Sequence, residues 1–310
     1  MTTIKKQNET IESIVGHYLD NDTSLPNVNK ELEVRFATLK GNKVKTTKNM
    51  FDNVIAKLLS MNFECQNNGD YSLKMMYDHI NKKGFKNNSN IRVELKGYHT
   101  IKEYCEKENL SALLEDRRFS RYVLFEKKEK ARNIAGEQIH PVEVEKFNLK
   151  VSYQQEQEMS VTSPLIRSLV QTWDEKEKTF RYIKRYRFKH PTIPINCDLS
   201  IVKTNSYNKE KPFGLKKTYI LDESNVFNNA ENYEIELEID NDLVKNMEQD
   251  EVVGHLKKTI KYVLCGMQNT NYPTGIDMIA KWKLQYIDLI GKMENKYIEV
   301  GDFIGPSSYT

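Results

Sequence analysis

Glu31, Glu33 and Arg35 recur at a spacing of two in Glu31-Leu32-Glu33-Val34-Arg35-Phe36, and far along the chain Glu234, Glu236 and Glu238 repeat that spacing in Glu234-Ile235-Glu236-Leu237-Glu238-Ile239. Side chains alternate across an extended strand, so each charged set shares one face and the apolar residues between them share the other. Same-face neighbours lie about 6–7 Å apart, so clustered carboxylates repel unless a cation lies between them. A divalent metal is the simplest such cation. Taken alone, either segment reads as the wet face of a half-buried sheet. Two of them in one chain weaken that reading, and a third segment weakens it further. Phe180 to Phe188 also alternates, with Arg181, Ile183, Arg185 and Arg187 on one face and Tyr182, Lys184, Tyr186 and Phe188 on the other. Acidic strands plus one arginine-faced strand point to a single polar interior shared by both signs.

The elements that must position these residues are mostly strands. Strands are expected at Tyr71–His79, Asn90–Lys96, Arg121–Lys128, Val142–Glu156, Thr179–Lys189, Asn196–Lys203, Leu215–Leu221 and Tyr233–Asp240, besides the first acidic strand. A helix is expected over Glu9–Leu19, followed by a turn through Asn27. Thr47 can cap a helix to about Ser60 that places Phe51, Val54, Ile55, Leu58 and Leu59 on one stripe, and Thr100 a short helix through Glu106. The segment Asn81–Asn90 reads as an exposed hairpin loop. From Asp242 the pattern turns helical, with Val252, Val253, Leu256, Ile260, Val263 and Leu264 at helical spacing, and Ile276–Met293 forms a second helix after Pro273 and Gly275. A many-stranded antiparallel sheet with flanking amphipathic helices is an α+β arrangement.

Composition sets outer limits. A chain of 310 residues holds one large domain or two ordinary ones, with a core that needs no staples. Cys65, Cys105, Cys197 and Cys265 are dispersed and the six histidines scattered, which points away from zinc and disulfides and toward a reducing compartment. A metal here would be held by oxygen, which favours Mg²⁺, Mn²⁺ or Ca²⁺. With 47 basic and 44 acidic residues the net charge is +3, so any binding of RNA depends on local clustering rather than on a basic excess. The N-terminus has no apolar signal region, and no run approaches the roughly 18 apolar residues of a membrane span. The expectation is a soluble intracellular protein with no membrane partner.

The motifs resemble those of a known family. Glu31-Leu-Glu33-Val-Arg35-Phe36 is similar to the first-strand Glu-x-Glu-x-Arg/Lys-Phe motif, and Glu234-Ile-Glu236-Leu-Glu238 to the late Glu-x-Glu-x-Glu motif, of the triphosphate tunnel metalloenzymes. Arg181-Tyr-Ile-Lys-Arg185-Tyr-Arg187-Phe, then Cys197-Asp198-Leu-Ser-Ile-Val-Lys203, resemble the family's basic strand and its Asp-Leu/Ile-Thr/Ser-x-Val-Lys strand, in the family's order. Phe147-Asn-Leu-Lys150-Val-Ser-Tyr-Gln-Gln-Glu156 resembles the strand pairing a basic residue with a glutamate six positions on. The likeness runs from about Lys30 to Asp240. Within the family, the chain looks most like the RNA triphosphatase domain at the N-terminus of multifunctional mRNA capping enzymes of large DNA viruses, which would place it in the host cytoplasm or the virion.

The resemblance implies a closed antiparallel eight-stranded β-barrel whose lumen is lined by charged side chains. It implies a tunnel domain over residues 30–298, preceded by a helical segment, 1–29, and followed by the start of a linker, 299–310. Glu31, Glu33 and Glu238 are then first choices for holding Mg²⁺ or Mn²⁺, with Glu234 and Glu236 supporting. Arg35, Arg92, Lys127, Lys150, Arg181, Arg185 and Arg187 are candidate phosphate ligands; Lys128 adjoins Lys127, and a shift of one residue reverses the face. Arg181 and Arg185 are also expected to act in catalysis. Glu156 is the candidate for orienting the attacking water, its alternative being a surface glutamate in the polar run 154–158. Asp198 fits a role in orienting an arginine. The family usually alternates Arg-x-Lys-x-Arg on the basic strand; here the middle position is Ile183, and either one cation is missing or a bulge turns Lys184 inward.

The implied reaction is metal-dependent removal of the γ-phosphate from the 5′-triphosphate end of nascent RNA, with free nucleoside triphosphates hydrolysed as well. Val300-Gly-Asp-Phe303-Ile-Gly-Pro306 resembles the approach to a guanylyltransferase domain, whose Lys-x-Asp-Gly motif these residues lack. The expected partners are therefore covalently linked guanylyltransferase and methyltransferase domains downstream. A different triphosphate or polyphosphate enzyme of the same fold, and a non-catalytic module that binds RNA ends, are the competing readings.

Overall fold

The period-two segments of the sequence close into a barrel. The structure, a computed structural model, describes residues 10–20, 28–39, 45–80, 86–208 and 214–294. In chain order its elements are α1 (Ile11–Asp20), β1 (Val28–Phe36), α2 (Lys48–Ser60), β2 (Glu64–Cys65), β3 (Asp70–Ile80), β4 (Lys86–Lys96), α3 (Tyr98–Lys107), α4 (Leu110–Glu115) and β5 (Val123–Lys130). There follow β6 (Val142–Val144), β7 (Leu149–Glu158), α5 (Pro164–Gln171), β8 (Lys178–Lys189), β9 (Ile195–Thr204), β10 (Asn232–Ile239), α6 (Gln249–Gln268) and α7 (Ile276–Glu294). Antiparallel pairing runs β1-β10-β9-β8-β3-β4-β5-β7 and returns from β7 to β1, a closed ring of eight. β2 extends β8, and β6 lies beside the first half of β7.

The barrel is apolar outside and polar inside because its hydrophobic faces are covered by helices. Leu32, Val34 and Phe36 of β1, Ile235, Leu237 and Ile239 of β10, and Val151 and Tyr153 of β7 bury their side chains with Ile14, Val15 and Tyr18 of α1, Phe51, Val54 and Leu58 of α2, and Val252, Leu256 and Val263 of α6. A second core joins Leu73 and Met75 of β3, Val93 and Leu95 of β4, Phe125 of β5 and Phe180 of β8 to Ile101 and Tyr104 of α3, Leu113 of α4, Ile166 of α5, and Trp173. Each fully buried side chain of this kind contributes about 1.5–3 kcal/mol. With the outer faces largely spent on packing, alternation leaves the lumen for most of the charged strand residues. The close crossing of α2 and α6 is set at Gly266, where a Cβ would lie 2.8 Å from the Val54 Cα.

Local chemistry explains where the elements begin and break. Thr47 caps α2, its hydroxyl accepting from the Met50 amide at 3.2 Å. Thr100 does not cap α3: the helix starts at Tyr98, after Gly97 at φ 83, and Thr100 is buried within it. The strand expected over Val142–Glu156 is two, parted by a turn that ends on Asn148 in the left-handed region at φ 49. Leu215–Leu221 is not a strand; it carries only isolated bridges, Tyr207 to Leu215 and Lys178 to Thr218. The helix expected from Asp242 starts at Gln249. The start of the expected first helix at Glu9, the turn through Asn27, residues 81–85 of the expected hairpin loop, and Val300–Tyr309 lie outside the described residues.

Candidate active site

The two acidic strands, separated by most of the sequence, are neighbours in the barrel. β1 pairs β10 with Glu33 opposite Glu238 and Arg35 opposite Glu236. On the other side of β10, Glu236 faces Asp198 of β9, and β9 in turn sets Asp198 opposite Arg187 and Ser200 opposite Arg185 of β8. A cavity of about 600 Å³ opens inside, lined by Glu31, Glu33, Arg35, Arg92, Glu156, Arg185, Arg187, Asp198, Glu236 and Glu238. Of the residues expected in the site, the fold brings these ten together.

Cations and carboxylates interleave throughout the lumen. Arg35 spans Glu33 at 3.1 Å and Glu236 at 2.9 Å. Arg187 holds Asp198 with two parallel hydrogen bonds, 2.7 and 2.6 Å, and reaches Glu238 at 2.9 Å. Arg185 contacts Asp198 at 3.2 Å and Glu236 at 3.3 Å. Asp198 is buried beneath both arginines and fixes their planes. Glu156 is met by Arg92 and, at 3.1 Å, by Lys128, and Lys128 also contacts Glu31.

Four expected residues lie apart. Arg181 pairs with Glu234 at 2.7 Å, and both line a separate pocket at the far end of the barrel, which they share with Arg35 and Glu236. Lys150 faces inward opposite Arg35, in a smaller space with Glu33, Arg92 and Ser152. Lys127 corrects the sequence reading: it pairs in register with Ile91 on the outer face and contacts Glu129 at 2.8 Å, whereas Lys128 points into the lumen. The pairing of β5 with β4 settles this phase, since Arg92, an inward residue, faces Glu126.

The basic strand has no bulge. Register from Arg181 to Phe188 is continuous, so Ile183 keeps the lumen face, buried opposite Ser72 of β3 and Val202 of β9. Lys184 points outward, its Nζ 5.4 Å from the ring centre of Tyr71 and 5.3 Å from that of Tyr186. Three further inward residues, Lys74, Glu94 and Glu126, carry no expectation from the sequence, and Lys128 enters it only as the neighbour of Lys127. Their signal is the same alternation: Ile91-Arg92-Val93-Glu94-Leu95-Lys96 interleaves charge with apolar residues as the acidic strands do.

Electrostatics divide the carboxylates into two groups. Burial alone would raise Glu236, but Arg35 and Arg185 outweigh it and hold its pKa below the ordinary value. Glu156 is likewise held down, by Lys128 and Arg92 against burial. Glu31 goes the other way: burial, then repulsion from Glu33, pushes it up to about 7 despite Lys128. Burial also raises Glu238, against the pull of Arg187.

Among the described residues no three acidic side chains already converge as a coordination shell. The donor chemistry nonetheless fits a hard divalent cation. Glu31, Glu33 and Glu238 offer only oxygen, from adjacent strands and lining one cavity.

No protein-family model matches the chain, and no curated protein matches it in sequence. Among solved structures it is similar to the Mimivirus capping enzyme triphosphatase, at 16% identity over 82% of this chain and 95% of that one, with a TM-score of 0.47. It is also similar to the S. pombe RNA triphosphatase Pct1, at 13% identity over 87% and 92% and a TM-score of 0.39. A structure of Pct1 in complex with the Spt5 CTD is similar at 14% identity over 84% and 90%, again with a TM-score of 0.39. The closed eight-stranded antiparallel barrel, with both acidic strands side by side and the arginine strand facing them, is the architecture that the sequence resemblance to the triphosphate tunnel metalloenzymes implies.

Proposed function

We propose that this chain removes the γ-phosphate from the 5′-triphosphate end of nascent RNA, using Mg²⁺ or Mn²⁺, and leaves a diphosphate end ready for capping. The observation that carries this reading is the pairing of β1 with β10 inside a closed barrel, which puts Glu33 opposite Glu238 while Arg185 and Arg187 reach β10 from β8. Phosphoryl transfer asks mainly for positioning and for neutralising charge on the phosphate oxygens. Guanidinium forks do both, and Arg35, Arg185 and Arg187 are already held in place by Glu33, Glu236 and Asp198.

Glu156 is the group for the attacking water. Lys128 and Arg92 keep it ionised, so it can accept a hydrogen bond from the water and align it with the γ-phosphorus. Water adds to phosphorus, the bond to the bridging β–γ oxygen breaks, and the water's proton passes to Glu156 or to solvent. Glu31, Glu33 and Glu238, supported by Glu236, would hold the divalent cation, which supplies Lewis-acid neutralisation of the phosphate oxygens when bound. Lys150 and Arg92 face the same space and would meet the outer phosphates, while Arg181 and Glu234 at the far end would contact whatever part of the substrate reaches it. A lumen that grips phosphates reads the base poorly, so free nucleoside triphosphates are substrates too. A downstream guanylyltransferase domain would take up the diphosphate end.

The test is to incubate the purified chain with γ-labelled triphosphate RNA, with and without Mg²⁺ or Mn²⁺, and follow phosphate release. Metal-dependent release supports the reading. Release from tripolyphosphate alone would move the assignment to a polyphosphate hydrolase of the same fold, and no release from any substrate to a non-catalytic RNA-end module.

A further inference from the structure

One mouth of the cavity carries a rim of aromatic and basic side chains for which the hydrolysis itself has no use. Lys96, Gly97 and Tyr122 line that mouth. Gly97 turns the chain from β4 into α3 and so presents Tyr98, 58% exposed, directly beside the opening. The Tyr98 ring meets Tyr71 edge-on at 6.4 Å, which braces it without covering it. Beside it, next to the pairing of Leu95 with Val123, the turn Ser120–Tyr122 packs on β4 and presents Tyr122, 39% exposed.

The segment 117–122 that leads into and includes this turn is locally basic although the chain as a whole is near neutral. Arg117, Arg118 and Arg121 interleave with Phe119 and Tyr122. Arg118 is taken up by Asp116 at 2.6 Å. Arg121 instead lies 4.8 Å over the ring of Tyr122, and Arg117 is exposed; among the described residues neither has a carboxylate partner. Exposed rings with unpaired guanidinium groups beside them are the ingredients of single-strand recognition, in which bases stack and the backbone is tracked by charge.

We propose that this rim is a single-stranded RNA platform, on which Tyr98 and Tyr122 stack the first bases of the transcript while Arg117, Arg121 and Lys96 hold the phosphates that follow. It rests on the triphosphatase reading for its direction, since the 5′ end must enter the cavity for the next nucleotides to meet the rim. The consequence is a preference for a triphosphate carried on an RNA chain over the same triphosphate on a free nucleotide, although the lumen itself does not distinguish them.

The experiment measures binding of a fluorescent 5′-hydroxyl oligoribonucleotide of about ten residues, long enough to cover such a site, to the full chain. With no phosphate to cleave, the result is independent of hydrolysis. Tyr98→Ala is expected to weaken binding about tenfold while Tyr98→Phe retains it, in keeping with the loss of one stacked base. Arg117→Ala combined with Arg121→Ala is expected to flatten the slope of log affinity against log salt by about 1.4, the release of counterions from two phosphates of a single strand. Thermal melts of all variants, whose changed residues are exposed, report that the fold is kept. Equal affinity for wild type and Tyr98→Ala, or an acidic peptide that competes as well as the RNA, overturns the proposal. Intact oligonucleotide binding without γ-phosphate release from triphosphate RNA overturns the catalytic reading and leaves the platform standing.

Discussion

That Glu31 and Glu33 line the cavity is legible because spacing alone puts them on one face, and the same holds for Glu236 and Glu238, whereas Glu234 shares their spacing but lines a separate pocket. What spacing cannot give is phase on a strand whose flanks are both charged. At Lys127 and Lys128 either residue satisfies the pattern, and only the pairing of β5 with β4 decides between them. Lys128→Ala should therefore lower γ-phosphate release about tenfold or more, because it removes the cation shared by Glu31 and Glu156, while Lys127→Ala should stay within about twofold. Steady-state rates with triphosphate RNA check both. Ile183 gives a second residue-scale expectation. Its lumen position is flanked by Arg181 and Arg185 and opposed by Ser72 and Val202, none of which can pair with an ammonium. Ile183→Lys should cost about 3 kcal/mol, as an uncompensated buried charge does. Tripolyphosphate with Mn²⁺ should recover part of the loss in a thermal melt; a loss that ligand leaves unrelieved would mean that this position never meets the substrate. Lys178 lies outside the site and titrates on its own account. Burial, opposed by Asp174 and Glu108, brings its pKa from 10.5 down to about 8. The unfolded chain then holds more protons between these values, so this residue's contribution to stability is full above about 10.5 and is lost as pH falls to about 8. Denaturant midpoints should rise from about pH 7 to about pH 9.5 more in wild type than in Lys178→Met, and parallel curves would contradict the assignment.

At the scale of elements, strands whose two faces differ were the easiest to read, and β1, β8, β9 and β10 fall close to their expected spans. Segments that depend on tertiary context were not. Leu215–Leu221 has strand-like residues but finds no continuous partner, and the turn that parts β6 from β7 depends on Asn148 accepting a left-handed backbone that no apolar pattern announces. The longer helices were legible from apolar stripes; the short α4 and α5 were not, nor was the crossing of α2 and α6, because it hinges on one glycine. A methyl at Gly266 would meet the Val54 Cα at 2.8 Å, which is backbone and cannot swing aside. Gly266→Ala should destabilise by about 1–3 kcal/mol, readable as a lower denaturant midpoint with unchanged slope. An unchanged midpoint would mean that the helices can part at no cost.

The whole molecule turns the usual arrangement of a small barrel inside out. Two helix-covered cores hold the apolar faces, and the lumen keeps its charges in alternating pairs because every carboxylate on β1 and β10 finds a guanidinium or ammonium within reach. No described helix is long and apolar enough to cross a membrane. Glu31, Glu33 and Glu238 are the oxygen donors that the proposed divalent cation would use. Metal binding by these carboxylates is tested by a Mn²⁺ titration of the chain, following free Mn²⁺ by its electron paramagnetic resonance signal, for wild type and for Glu33→Gln combined with Glu238→Gln. Wild type is expected to take up Mn²⁺, and the double substitution to weaken uptake about a hundredfold or more, as removal of two charged oxygen donors should. Equal Mn²⁺ affinity in the two proteins would contradict the assignment.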